Sequence, residues 1–350
     1  MCGNLTVTAG GNITQSGALT VGGASSFNAG ANSITLGNAG NDFGGAVTLT
    51  GGATQIKDGN ALTLGTLSTG ALTVEANAGG GTADLNLGKG TVASLDAKSN
   101  GGAIKQSTAV GDTLTVTGTS TVNAGTGDIT LAQAGNDFGG AVTLTTVGAG
   151  NATVSDTNTL ALAASGVGGN LTVTAGGNIT QNGALTVGGV TTLALTASGS
   201  DILLASQPNN FAGGVALGGT VANIRDIELR SISASAATPS GFPASGLRNV
   251  TLAFDNAALA LPAIGLTGTL TVKAGGNITQ SGALTVGGAS SFNAGVNSIT
   301  LGNAGNDFGG AVTLTTAGAG NATVSDTNTL ALAASGVGGN LTVTAGGNIT

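Results

Sequence analysis

The stretch Gly169–Gly189, GNLTVTAGGNITQNGALTVGG, decides how this chain reads. In Leu171-Thr172-Val173-Thr174 the apolar residues fall on every second position, the period of a half-buried β-strand. The corner Ala175-Gly176-Gly177-Asn178 follows, built from residues that tolerate positive φ at little cost. Ile179-Thr180 and Leu185-Thr186-Val187 repeat the alternation around a second corner, Asn182-Gly183. The segment reads as strand, corner, strand, corner, and holds nothing that resembles a reaction centre.

Close copies stand at Gly3–Gly23 and Gly268–Gly288, and a further one runs from Gly339 to Thr350. Leu5–Thr50 returns as Leu270–Thr315 with two changes, Thr8 to Lys273 and Ala31 to Val296. Ala134–Thr180 returns as Ala304–Thr350 with one, Val147 to Ala317. Between 51 and 133 the pattern is degenerate but keeps its style, as in Ala61-Leu62-Thr63-Leu64 and Asp128-Ile129-Thr130-Leu131. Strand signals recur every ~8–12 residues, a spacing common to sandwiches and solenoids. Near-identity of distant copies selects the solenoid, because sandwich strands sit in unlike environments and need not resemble one another.

Composition supports a folded chain. There are 66 glycines in 350 residues, against a usual ~7%, and charged residues make up only 7%. Disordered chains are poor in apolar residues and rich in charge, whereas this one is 40% hydrophobic with a mean hydropathy of +0.35. So much glycine argues against helix, where each costs ~1 kcal/mol. The net charge of −7, with eight scattered Lys and Arg, argues against nucleic acid as a partner. Tryptophan and tyrosine are absent, which removes base-stacking platforms and the aromatic girdles of a membrane β-barrel. No apolar run approaches the ~18 residues of a membrane-spanning helix. The single cysteine, Cys2, permits no internal disulfide, and no signal sequence precedes it.

The expected fold is all-β, a parallel β-solenoid over 1–350 with an irregular proline- and charge-containing insert at about 222–265. Turns of roughly 20–24 residues rising ~4.8 Å would give about 15 turns and a rod on the order of 70 Å. Inward positions are Leu5, Val7, Ile13, Leu19, Val21, Ile34, Leu36, Val47 and Leu49 with their later counterparts. Thr6, Thr20 and Thr48 face solvent, where β-branching favours the extended backbone. In the insert, Arg225, Asp226, Glu228 and Arg230 crowd together, and Ala234–Gly246 reads as a loop leaving the solenoid.

Repeats of the form GNLTVTAGGNITQSGALTVGG followed by NDFGGAVTLT resemble the central repeat region of filamentous-haemagglutinin-like exoproteins, the large adhesins of bacterial two-partner secretion. The resemblance covers nearly the whole chain and is weakest over 222–265. It implies a right-handed parallel β-helix, secreted through an outer-membrane partner and displayed at the bacterial cell surface toward a receptor or glycan. The family's asparagine-proline-rich secretion motifs do not occur; Gln207-Pro208-Asn209-Asn210 is the nearest string and does not match. With no secretion domain, and with repeats that start and stop inside a copy, the chain reads as a segment of a longer product. The resemblance transfers no catalytic, cofactor-binding or metal-binding residue.

Four features bear on chemistry. The unit Asn41-Asp42-Phe43-Gly44-Gly45 recurs at Asn136–Gly140 and Asn306–Gly310, with the variant Asn209–Gly213. Each copy offers one carboxylate, which suits a corner anchored by Phe better than a calcium site wanting clustered oxygens. Without histidine there is no Ser-His-Asp or Cys-His machinery, so no catalytic residue is assigned and no enzyme is expected. The Arg225/Asp226/Glu228/Arg230 group would serve a polysaccharide-acting enzyme if a carboxylate pair met the arginines in a groove; otherwise it is a self-paired charge cluster. Asn-x-Thr sequons such as Asn4, Asn151 and Asn170 arise wherever an Asn corner precedes a Thr-bearing strand. Thr-x-Thr pairs such as Thr172/Thr174 would suit ice binding only if present on nearly every turn, and here they are broken. The reading that remains is a structural and adhesive surface rod that presents binding regions elsewhere, with no cofactor.

Overall fold

The computed structural model describes residues 3–350; Met1 and Cys2, with the reading of Cys2, lie outside the described residues. Among the described residues the chain is built from short strands, and the only helical element is a 3-10 turn at Val221–Asn223. It forms two compact units, Met1–Gly176 and Gly177–Thr350, each a parallel β-solenoid.

In the first unit, strands Leu5–Thr8, Ile13–Thr14 and Thr20–Val21 make one turn. They pair in parallel with Ser25–Asn28, Ile34–Leu36 and Asp42–Phe43 of the next. Three strands per turn give three faces. The second unit repeats the arrangement, with Leu270–Ala274, Ile278–Gln280 and Leu284–Val286 paired to Ser290–Asn293, Ile299–Leu301 and Asp307–Phe308. The turn is elastic in length: register partners are as close as Val47 and Leu64 and as far apart as Leu95 and Ser120.

Alternation along each strand fills the interior. Ile34, Val47 and Leu49 are fully buried, and so are Leu171, Val173, Leu270 and Leu284 of later copies. Leu5, Val7 and Leu19 are half-buried. Each fully buried aliphatic contributes roughly 1.5–3 kcal/mol, which offsets the ordering entropy of so glycine-rich a chain.

The corners correct one expectation. Gly176, Gly44 and Gly45 are not among the glycines with positive φ, and neither are Asn178 or Asn182. Glycine is required there by close approach of stacked backbones. A Cβ on Gly45 would lie 2.5 Å from the carbonyl of Gly23 one turn earlier, and one on Gly176 would lie 2.0 Å from Thr157 O. Positive φ is reserved for other turns, such as Gly30, Gly125 and Gly295.

Identical motifs do not keep the same face. In the first unit, Val47 of the first NDFGGAVTLT stands in the column of Leu5 and Ser25. Val142 of its second copy stands in the column of Ile13, Ile34, Thr54, Leu72, Leu95 and Ser120. The second unit shows the same shift. Ile179 shares a column with Ile202, Ile227, Val250 and Leu270, whereas Ile278, in the same GGNITQ string, occupies the next face. Both pairs of copies are separated by four turns plus one face.

The stretch 222–265 contains paired strands at Ile224–Ser231, Asn249–Phe254 and Leu259–Leu261, so its charged residues lie on the ladder. Irregular backbone is confined to 232–248, where Ser240 and Leu247 still form single bridges to Ala216 and Leu266.

Candidate functional site

The Asn-Asx-Phe unit, the best-placed oxygen cluster in the sequence, is built into the core. Asn136 is completely buried and faces Gln106 in a reciprocal amide pair, with each Nδ2 or Nε2 donating to the other's carbonyl oxygen at 2.8 Å. Asn136 Oδ1 also accepts Leu114 N–H at 3.0 Å, and its Nδ2 donates to Leu131 O at 3.3 Å. The same pair joins Asn41 to Gln15, Asn209 to Gln181 and Asn306 to Gln280. The amides satisfy backbone groups that the chain leaves open where it turns a corner inside the solenoid. The adjoining rings are buried, and Phe27–Phe43 and Phe292–Phe308 meet edge to face at 6.0 and 6.2 Å.

The aspartate of the unit sits beside a second, buried one from the following turn. Asp58 accepts the N–H of Phe43 at 2.8 Å and of Asn60 at 2.9 Å; Asp156 does the same for Phe138 and Asn158. Burial pushes both carboxyls above their ordinary value, against the pull of those donors. Among the described residues no group of three or more His, Cys, Asp or Glu is placed to hold a metal ion.

A family described as repeats of unknown function (DUF5649) matches residues 1–50, 80–145, 149–218, 247–315 and 319–350, well over half of the chain. The chain belongs to this family. No curated protein and no solved structure matches it. Each of the four longer DUF5649 segments contains one complete amide pair: Gln15/Asn41, Gln106/Asn136, Gln181/Asn209 and Gln280/Asn306. The buried pair is therefore a signature of the DUF5649 repeat as folded here.

Outside those segments and across them, charge is organised between turns. All eight Lys and Arg are ion-paired, each to a carboxylate about one turn away. Arg225 grips Asp201 through Nε at 2.9 Å and a second nitrogen at 2.5 Å, and Arg248 grips Asp226 likewise. Arg230 and Lys273 share Asp255 at 2.8 and 3.1 Å. Burial raises Asp226 and Asp255, but hydrogen bonds from their cationic partners more than offset it, and both carboxyls lie below their ordinary value. Asp201 and Asp226 stack as register partners, so the sequence-derived cluster does bring two carboxylates to Arg225. Asp201 and Asp226 are each engaged by an arginine, and Asp226 is pushed downward, the opposite of what an acid catalyst needs.

The outward positions of the DUF5649 repeats carry hydroxyls. Thr279, Thr300, Thr323 and Thr342 stack over four turns, but a second row of threonine is present only at Thr344. Sequon asparagines hold the next turn: Oδ1 of Asn4, Asn151 and Asn321 accepts the backbone N–H of Ala24, Asn170 and Asn340 at 2.7–2.9 Å. Sequence reasoning missed the amide pairs and the inter-turn ion pairs. The one available signal was the recurrence of Ile-Thr-Gln or Ile-Lys-Gln about one turn before each Asn-Asx-Phe.

Proposed function

We propose that the chain is a structural segment of a secreted bacterial surface adhesin of the filamentous-haemagglutinin type, a right-handed β-helix that holds adhesive regions carried elsewhere in a longer protein. It does no catalysis and takes no cofactor. The observation that supports this reading most is where the polar chemistry goes. The eight cations, the four buried amide pairs and the sequon asparagines all bond one turn to the next. A scaffold needs this allocation; an enzyme needs polar groups held open toward substrate.

The test is surface display. Antibodies to the 350-residue chain should label intact cells of the native bacterium, and external protease should remove the signal. Deleting the gene of the cognate outer-membrane transporter should abolish labelling. Signal that appears only after permeabilisation would end this assignment.

A further inference from the structure

We infer that the corner Asn182-Gly183 is a site of spontaneous covalent modification, in which the Asn182 amide cyclises onto the main chain and leaves aspartate or isoaspartate. The chain contains two Asn-Gly steps, Asn100-Gly101 and Asn182-Gly183. Glycine after the asparagine favours cyclisation, because no side chain shields the attacking nitrogen or restricts its approach. What separates the two steps is how the fold holds them.

At the first step the reacting groups are engaged. Asn100 Nδ2 donates to Glu75 Oε1 at 3.0 Å and to Ala76 O at 2.9 Å. Gly101 N–H donates to Ala124 O at 3.0 Å. The second step is open. Asn182 is exposed, and among the described residues its side chain makes no hydrogen bond and Gly183 N–H meets no acceptor. The groups around it are fixed, since Gln181 Nε2 donates to Gly183 O and to Asn209 Oδ1, both at 3.0 Å. The amide and the nitrogen that attacks it are therefore adjacent and uncommitted. Serine stands in place of Asn182 in two other copies, at Ser16 and Ser281, both exposed, so the corner does not need the amide to form.

The step balances with water as the only co-reactant. Gly183 N gives its proton to solvent base and bonds to Asn182 Cγ; the Cγ–Nδ2 bond breaks and that nitrogen leaves as ammonia, giving a five-membered succinimide. Water then opens the ring at either carbonyl. Opening at Cγ restores the main chain with aspartate at 182. Opening at the main-chain carbonyl leaves Gly183 N bonded to Cγ, an isoaspartyl link that adds one carbon to the main chain. Either product adds one negative charge to the −7 of the chain. The isoaspartyl form also lengthens the path from Gln181 to the Gly183 carbonyl it holds, and so disturbs a glutamine that belongs to an amide pair. The assignment rests on these two corners and not on the surface-adhesin reading.

Peptide mass spectrometry of the folded 350-residue chain, incubated in mildly alkaline buffer, tests the site. The peptide carrying Asn182 should gain one mass unit, and an isoaspartyl methyltransferase supplied with S-adenosylmethionine should label it. The peptide carrying Asn100 should convert about tenfold more slowly, or slower still, because its hydrogen bonds must open first. In urea the two rates should converge. Asn182→Ser, which copies the residue of the other repeats, should abolish both signals at this corner with the circular dichroism spectrum unchanged. Three results would each overturn the assignment: an unmodified Asn182 under conditions that convert the same peptide cut from the chain, equal rates at Asn100 and Asn182 in the folded protein, or a difference between them that persists in urea.

Discussion

Replacing Asn136 with alanine strips one completely buried amide from the first unit and strands the groups around it. Gln106 loses both of its bonds to that amide, Leu114 N–H loses its acceptor and Leu131 O loses a donor. Orphaned buried groups cost about 1–3 kcal/mol each, and the Leu131 contact at 3.3 Å is the weakest of the set. Partial relaxation places the total at about 3–5 kcal/mol. Gln106→Ala leaves Asn136 its two backbone contacts and should cost less, about 2–3 kcal/mol. The double variant removes both amides and leaves only the backbone groups orphaned. It should therefore fall short of the sum of the single losses by about 2 kcal/mol. Urea denaturation followed by far-ultraviolet circular dichroism measures all three. A loss under about 1 kcal/mol for Asn136→Ala, or additivity within about 0.5 kcal/mol, would refute the reciprocal pair as a shared support.

Four further outcomes are expected. Val173→Asp buries an unpaired charge against Val154 and should cost several kcal/mol in denaturation, while Thr172→Asp at the outward position is far milder; equal losses would reverse the facing. Gly310→Ala drives a Cβ to 2.4 Å from the Gly288 carbonyl carbon and should destabilise by about 1–3 kcal/mol, whereas Gly17→Ala meets nothing within 4 Å and should change the thermal midpoint little or raise it. Ser290 Oγ is buried with no partner among the described residues, so Ser290→Ala should be neutral or stabilise by up to about 1 kcal/mol; a clear loss of stability would reveal a bond not accounted for. Hydrogen bonds from Lys57 and then Asn100 lower the Glu75 carboxyl to about 2, so its contribution is complete above 4.5 and lost as pH falls through about 2. Asp58 and Asp156, raised by burial, act in the opposite sense, favouring the fold as pH falls through their folded-state values. Glu75→Gln should consequently flatten the acid limb of the thermal midpoint plotted from pH 5 to 2, and an unaltered limb would count against the Glu75 pairings.

The strand pattern was legible because it is local. Leu171 and Val173 face inward in Leu-Thr-Val-Thr for reasons that four residues contain. The amide pair was not legible, because Gln106 and Asn136 lie 30 residues apart and meet only once the register of two turns is known. The same limit hid the ion pairs: Arg225 reads as a neighbour of Asp226 in sequence, yet its bidentate partner is Asp201, one turn back. The glycines misled for a related reason. A Gly-Gly corner fits either positive φ or close backbone approach, and only the stacked turn beneath Gly45 distinguishes them.

The shift of each copy by one face bears on how such a chain can change its length. Val47 and Val142 hold the same place in the ten-residue string NDFGGAVTLT on different faces, and each is buried and paired there. A motif's fit is thus set by the strands stacked against it, and two different faces receive the same string. Genes with near-identical tracts exchange by unequal recombination, which joins one copy to the matching point of another. Joining Thr50 to Thr316, the residue that follows the identical Val312–Thr315, would preserve every local strand and corner while removing a block of whole and partial turns. Such a splice keeps inward and outward positions in phase, so the number of turns can change without turning the core outward.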